Sequence, residues 1–263
     1  MKDIFYEALK DTSNTVYAQI QEASACRLHF HRAFELAYIA EGRASYEVEG
    51  KRFVADTDHI VFSHRYYSHR SFDDLAHKKI VIAIPENMSY DISKLLSSTT
   101  LPSLLSDKQL NRTVMPYFKA LLTADESTPE ILIKGYVNLI FGTLTLNYSN
   151  VSVAPTNKNI SVIVSILDYI DKHATEPITL ETLASRFGYN KSYFSRMFNS
   201  SVGVSLSNYI NFVRLSRFEA NLKQNGDKSI TEQIFEAGFQ SVPTFYRIRG
   251  LKKEENRQNK AFT

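Results

Sequence analysis

The chain has 263 residues, 43% hydrophobic and 22% charged, with 17 Phe and 15 Tyr but only 9 Gly and 7 Pro. This composition excludes a disordered, collagenous or low-complexity chain, and the length fits one large or two ordinary domains. The formal net charge is only +3, no stretch approaches the roughly 20 uncharged apolar residues of a membrane span, and the first residues lack the basic-then-apolar order of a signal peptide. One cysteine, Cys26, excludes an intrachain disulfide. A cytoplasmic protein without a membrane partner is expected.

Charge and histidine are unevenly spread. Residues 1–155 carry 16 Lys and Arg against 18 Asp and Glu, whereas residues 156–263 carry 15 against 10. An acidic half joined to a basic half suggests that only the second meets a polyanion. Five of the seven histidines lie between His29 and His69.

Up to about Pro102 the chain reads as short strands: Phe34 to Ala40, Ala44 to Val48, Ile60 to Ser63 and Lys79 to Ile84. Glu49-Gly50-Lys51 looks like a hairpin turn. Many short strands predict an antiparallel sandwich or barrel. From Leu104 the period changes. Leu110, Val114, Phe118 and Leu121 form one helical stripe, and Ile133, Val137, Ile140, Leu144 and Tyr148 form another. Residues 151–159 are polar, contain Pro155 and read as a linker. Everything beyond reads as helix.

Within the strand region, His29, His31 and Glu35 share one parity, so a strand would point them together. Three imidazoles and a carboxylate, with His69 as the third, suit Fe, Mn, Ni or Zn. Histidine pairs in strands are also commonly hydrogen-bonded without a metal. Arg27, Arg43, Tyr38 and Tyr46 are candidate lining for a polyol or acid, though periodicity does not say which face inward. His59, His64 and Cys26 read as structural.

In the helical region, Thr179 to Asn199 reads as a helix, a glycine turn at Gly188 and a second short helix capped by Asn190. Tyr193, Phe194, Met197 and Phe198 are expected inward, and Lys191, Ser192, Ser195 and Arg196 outward. Small polar and cationic residues on a short helix suit major-groove reading, although a plain helical hairpin shows the same pattern. A partial repeat follows about fifty residues later. Ser229 to Glu232 is a capping box, Gly238-Phe239 echoes Gly188-Tyr189, and Thr244 to Arg247 echoes Tyr193 to Arg196.

Ile178 to Phe198, Gly203, Tyr209 to Leu215 and Ser229 to Arg247 together resemble the AraC/XylS family of bacterial transcription regulators. The resemblance implies two helix-turn-helix units bridged by a helix, with Lys191, Ser192, Ser195 and Arg196 facing DNA. By position, Gln240, Ser241, Thr244 and Arg247 do likewise in the second unit. The chain departs from the family pattern at Leu206, where Pro is usual, and at Phe218, where Ala is usual. It also departs at Gln233-Ile234, where an Ile-Ala pair is usual, and after Arg247, where an aromatic at position 249 and the closing segment are missing. These departures predict a helix that starts near Pro243 and ends at Arg249-Gly250, with the charged run Lys252 to Lys260 as solvated helix or disordered. They also predict a second unit contributing fewer base contacts than the first.

The spacing His29-x-His31-x3-Glu35-x6-Gly42 resembles the first motif of cupin barrels, and Asp58 to His69 resembles the second. Regulators of the AraC type carry a related barrel as an effector sensor. That resemblance favours an organic-ligand pocket formed by His29, His31, Glu35, His69, Arg27, Tyr38 and Tyr46, with no cofactor and no catalysis. It also makes the helical pair the usual dimer contact, through the stripe Leu110, Val114, Phe118 and Leu121.

The resulting expectation is an α+β chain of two domains. Residues 1–103 form an antiparallel β cupin-like barrel that senses ligand, and 104–150 a helical dimerisation pair. Residues 151–159 form a linker, and 160–263 an all-α DNA-binding domain with two helix-turn-helix units. Its expected partners are double-stranded DNA, a small-molecule effector such as a sugar or related metabolite, a second copy of the chain, and RNA polymerase. Two alternatives remain open: a metal-dependent cupin enzyme with a C-terminal interaction module, and a decayed regulator that holds DNA poorly.

Overall fold

A computed structural model describes residues 5–7, 15–85, 88, 90–96, 99–125, 127–148, 151–152, 158–222 and 228–261. The chain divides into two compact units, residues 1–156 and 157–263. Residues 153–157 of the expected linker lie outside the described residues.

The first unit contains β1 (Phe5–Tyr6), β2 (Tyr17–Glu22), β3 (His29–Phe30), β4 (Phe34–Val48), β5 (Lys51–Asp56), β6 (Ile60–Ser63), β7 (His69–Ser71) and β8 (His77–Ile84). It continues through α1 (Tyr90–Leu95), β9 (Thr99–Thr100), β10 (Leu104–Leu105), α2 (Lys108–Thr123), α3 (Glu130–Asn147) and β11 (Val151–Ser152). Strands β1 to β8 with β10 form one nine-stranded sheet, antiparallel except where β1 joins β3. The two strands expected at residues 34–40 and 44–48 are one continuous strand. Along its length β4 pairs with β5, β6, β7 and β8. A two-residue turn, Glu49 (φ 47°) and Gly50 (φ 75°), leads into β5; left-handed backbone at both positions matches the twist of a tight hairpin.

Side chains alternate across a strand, and β4 uses both faces. Phe34, Leu36 and Tyr38 pack with Ile80, Ile82 and Ile84 against Val114, Phe118 and Leu121 of α2 and Val137, Ile140 and Leu144 of α3. Ala37 and Ile39 face the other way, with Val61 and Val81. A register shift between Ile39 and Glu41 reverses the parity, so Ala44, Tyr46 and Val48 share the face of Ala37.

The expected dimer stripe is corrected here. Val114, Phe118 and Leu121 are buried in the first unit's own core and offer nothing to a second chain. Polar contacts fix the same helix to the sheet. Asn111 Nδ2 donates to the carbonyls of Asp58 and Leu105, both at 2.8 Å, and Tyr148 Oη donates to Asn111 Oδ1 at 2.9 Å. Arg112 Nε donates to Asp58 Oδ2 at 2.8 Å, and Tyr38 Oη to Asp58 Oδ1 at 2.7 Å.

The second unit contains α4 (Lys158–His173), α5 (Leu180–Arg186), α6 (Lys191–Val202), α7 (Leu206–Leu222), α8 (Ile230–Glu236) and α9 (Val242–Ala261). Thr179 and Ser229 cap α5 and α8 with capping boxes, and Asn190 caps α6 by accepting from the Tyr193 N–H. The α5–α6 turn passes through Gly188 (φ 74°) and the α8–α9 turn through Gly238 (φ 98°).

The tail is also corrected. Helix α9 does not end at Arg249-Gly250 but continues to Ala261. Phe245 and Ile248 are fully buried and Leu251 packs beside them, so the apolar stripe carries the helix past Arg249. Arg249 is exposed, its guanidinium 6.0 Å from the Phe245 ring, so its charge stays out of the core. Gln233 is buried, and its Nε2 donates to the Lys228 carbonyl at 2.9 Å.

The two turn glycines differ in their surroundings. A Cβ at Gly238 would lie 2.5 Å from the Ala174 carbonyl oxygen and 2.7 Å from Thr175 Cα, whereas one at Gly188 meets nothing within 4 Å. Gly188→Ala is therefore expected to cost only the left-handed backbone penalty, about 1–2 kcal/mol. Gly238→Ala should cost clearly more, because backbone must move, and urea denaturation of the two variants checks the order.

Burial opposes ionisation of Asp58, but the hydrogen bonds from Tyr38 and Arg112 prevail and hold its carboxyl below the ordinary 3.8. A depressed carboxyl stabilises above its unfolded-state value and loses that contribution as pH falls through the folded-state value. Asp58→Asn tolerates the left-handed backbone (φ 66°). The variant should be less stable at neutral pH and should lose less stability than the parent below about pH 4, as read by denaturation at a series of pH values.

Candidate functional site

On the inner face of the first unit's sheet the sequence-predicted histidines converge. His29 lies opposite His69 in the β3–β7 register, His31 follows β3, and Glu35 is the second residue of β4. All four are buried, with exposures of 3, 1, 7 and 1% for His29, His31, Glu35 and His69. Their ligand atoms lie within 4.8 Å of one another.

The orientation of each ring is fixed from behind. Nδ1 of His29 is 2.7 Å from the Arg27 carbonyl, that of His31 3.0 Å from Ala33 O, and that of His69 2.8 Å from Tyr67 O. A carbonyl only accepts, so Nδ1 carries the proton and Nε2 faces the cluster. Glu35 sits between two of these nitrogens, its Oε2 3.3 Å from His31 Nε2 and its Oε1 3.5 Å from His69 Nε2. The Nε2 of His29 faces Glu7, whose Oε2 is 3.2 Å away.

Tyr46 shares this inner face, and burial raises its hydroxyl pKa well above the ordinary value. Tyr38 does not. It lies on the helix side of β4, 5.5 Å from the Phe118 ring and bonded to Asp58. Its assignment to the pocket is corrected, because its parity is opposite to that of Glu35. The Arg27 side chain is exposed, and its carbonyl holds the His29 ring.

Lys79, Ser71 and Glu7 join the site without a sequence motif, and Cys26, expected to be structural, lies beside them. Buried Lys79 donates from Nζ to Ser71 Oγ at 2.8 Å and to Ser24 O at 3.3 Å, and lies 5.2 Å from the Tyr46 ring. Ser71 donates its N–H to Cys26 Sγ at 3.0 Å. Burial pushes the Cys26 thiol up, but hydrogen bonds with His29 and Ser71 bring it below the ordinary thiol range. The strand parity of Lys79 was a usable signal; Glu7 had none, since its approach depends on β1 joining β3.

In the second unit, α6 buries Phe194 and Phe198 and exposes Lys191, Ser192 and Arg196, with Ser195 half-buried. Tyr193, expected inward, is 47% exposed and stacks on Tyr189 at 5.4 Å, and Met197 is half-buried. The packed face is narrower than the run of apolar residues suggests. Lys191 Nζ pairs with Glu181, whose carboxyl is thereby held low. On the second turn Gln240 and Arg247 are exposed, while Ser241 and Thr244 are half-buried and bonded to each other at 2.9 Å.

A helix-turn-helix domain model matches residues 183–249. The multiple antibiotic resistance protein MarA of Salmonella typhimurium is 33% identical over 91 residues, 35% of this chain and 71% of that protein. The chain belongs to the AraC/XylS family of bacterial transcription regulators. Uncharacterized HTH-type transcriptional regulators of Staphylococcus aureus are 26% identical over 118 residues, 45% of this chain. The match spans only about 15% of their length. Among solved structures, fatty-acid-bound ToxT of Vibrio cholerae is 14% identical with a TM-score of 0.42, covering 90% of this chain and 91% of that one. The AraC-like activator CuxR is 14% identical with a TM-score of 0.44, covering 85% and 78%. Within this AraC/XylS member the matched segment runs from α5 to α9 and so includes both glycine turns.

Proposed function

We infer that this AraC-family chain is a cytoplasmic DNA-binding transcriptional regulator controlled by a ligand held in its first unit. The reading assigns residues 1–103 to a cupin-like sensor, 104–150 to dimerisation, 151–159 to a linker and 160–263 to a double helix-turn-helix. It works with double-stranded DNA, a small-molecule effector and RNA polymerase, and performs no catalytic step. The observation that carries it is the pair of capped helix–turn–helix segments, each exposing an arginine on its second helix.

Lys191, Ser192, Ser195 and Arg196 would meet DNA from α6, and Gln240, Ser241, Thr244 and Arg247 from α9. Phe245 and Ile248 are buried on α9 as Phe194 and Phe198 are on α6, which supports DNA contact from both helix-turn-helix segments rather than a decayed second one. Arg196→Ala and Arg247→Ala should each cost about 1–3 kcal/mol of affinity and relax specificity at one position, measured by gel shift against operator variants. DNA affinity indifferent to both would end this assignment.

Dimerisation moves to the far face of α3. Leu132, Gly135, Leu139, Gly142 and Leu146 recur at alternating steps of three and four, the seam of a helix pair. Leu139 is 47% and Leu146 85% exposed. A Cβ at Gly135 or Gly142 would meet nothing within 4 Å. Each glycine costs about 1 kcal/mol of helix propensity against Ala, with no internal packing to require it; a second copy of α3 crossing closely would. Leu139→Glu should convert the protein to monomer in sedimentation analysis without lowering its thermal stability.

One observation favours the enzyme alternative: the intact His29, His31, Glu35 and His69 set. Turnover by metal-loaded protein would establish it.

A further inference from the structure

Lys191 is the first residue of α6, directly after the Asn190 cap, where the positive end of the helix dipole disfavours a cation. A carboxylate from the neighbouring helix offsets that cost. Glu181, in the first turn of α5, accepts a hydrogen bond from Lys191 Nζ. Both side chains are more than half exposed, 56% for Lys191 and 69% for Glu181, so burial holds neither of them. The hydrogen bond and the charge of Lys191 keep the Glu181 carboxyl below its ordinary 4.5, and it is ionised throughout the neutral range. The second unit lacks the pair. At the same helix positions, the second residue of α8 and the first of α9, stand Thr231 and Val242.

Resting on the DNA-binding reading above, we propose that Glu181 is an electrostatic brake on the first helix-turn-helix, holding Lys191 in an ion pair that must break before the ammonium meets a DNA phosphate. In a helix-turn-helix the N-terminal residues of the second helix enter the major groove, which sets Lys191 at the groove rim. Glu181 and a phosphate then compete for one ammonium. Phosphate contact releases cations condensed on the DNA, but the abandoned carboxylate takes up a cation in return. Net ion release and affinity both fall, and they fall alike for every sequence, because phosphate contacts carry no sequence information. An exposed ion pair is weak, so the contact yields when DNA arrives. Glu181 is in this sense a positioning residue that sets the sequence-independent grip of the first unit of the pair.

The test titrates full-length protein into a labelled mixed-sequence DNA duplex, read by fluorescence anisotropy over a series of NaCl concentrations. Glu181→Gln should bind about twofold to fivefold more tightly at low salt. It should also steepen the logarithmic salt slope by up to about 0.9, with a melting temperature close to that of the parent. A purely structural role for Glu181 moves the melting temperature and not the slope. Removing a negative charge also relieves general repulsion from DNA, so the same substitution is made in the Lys191→Ala background. The gain should be larger where Lys191 is present, and the difference between the two gains measures the ion pair. Equal gains in both backgrounds overturn the brake and leave only general repulsion. Salt-dependent duplex binding that Glu181→Gln leaves unaltered or weakens overturns the brake and leaves the DNA-binding reading standing. No duplex binding by the parent or by Glu181→Gln, even at low salt, overturns both.

Discussion

The first unit depends on the pleat of one strand. Residues of β4 alternate between a core shared with two helices and an enclosed inner face, and the register shift after Ile39 exchanges the two sets. Before the shift, odd positions face inward and place Glu35 among the histidines; after it, even positions do, and Tyr46 joins them. A slip of one residue would put Phe34 and Leu36 against the histidines and Glu35 under the helices. The burial of Leu36, Tyr38 and Phe62 beneath Phe118 and Phe141 therefore holds the polar cluster in register.

The second unit has a comparable fixed point at the end of α4. Arg214 of α7 donates from Nε to Ala174 O at 2.7 Å and from Nη2 to Glu176 O at 3.0 Å, satisfying carbonyls that the helix end leaves open. The second turn, at Gly238, rests on the same residues, close enough to exclude a Cβ. One segment thus positions both α7 and the second turn. Phe218, where the family pattern has Ala, sits 4.6 Å from the Phe245 ring in an edge-to-face contact.

Much of this was legible in the sequence for local reasons. Capping boxes, left-handed glycines and three- and four-residue periodicity are short-range signals, and α3, α5, α6 and α8 follow them. The histidine set was legible from its motif, although residues 31–33 interrupt the strand and His69 joins through the β3–β7 pairing. Tyr38 was misplaced because two tyrosines of equal parity lie on opposite sides of a register shift that no local residue announces. The tail was misread because Arg249 was treated as a core position, whereas the stripe Phe245, Ile248, Leu251 passes beside it. Glu7 was missed because its contact depends on strand pairing across more than twenty residues.

Two features of the first unit depart from the most stable packing. A buried carboxylate among three imidazoles is costlier than the apolar side chains that fill the rest of the same face, and a well-packed hydrophobic replacement would commonly be neutral or stabilising. Glycines at 135 and 142 weaken a helix whose other face is buried in the core. The buried carboxylate is offset in part by its contacts with His31 and His69, whereas nothing within 4 Å takes the place of a side chain at Gly135 or Gly142. The same offset applies to Lys79. Its ammonium is buried but already donates to Ser71 and Ser24, so its place on the inner face is accounted for within the unit.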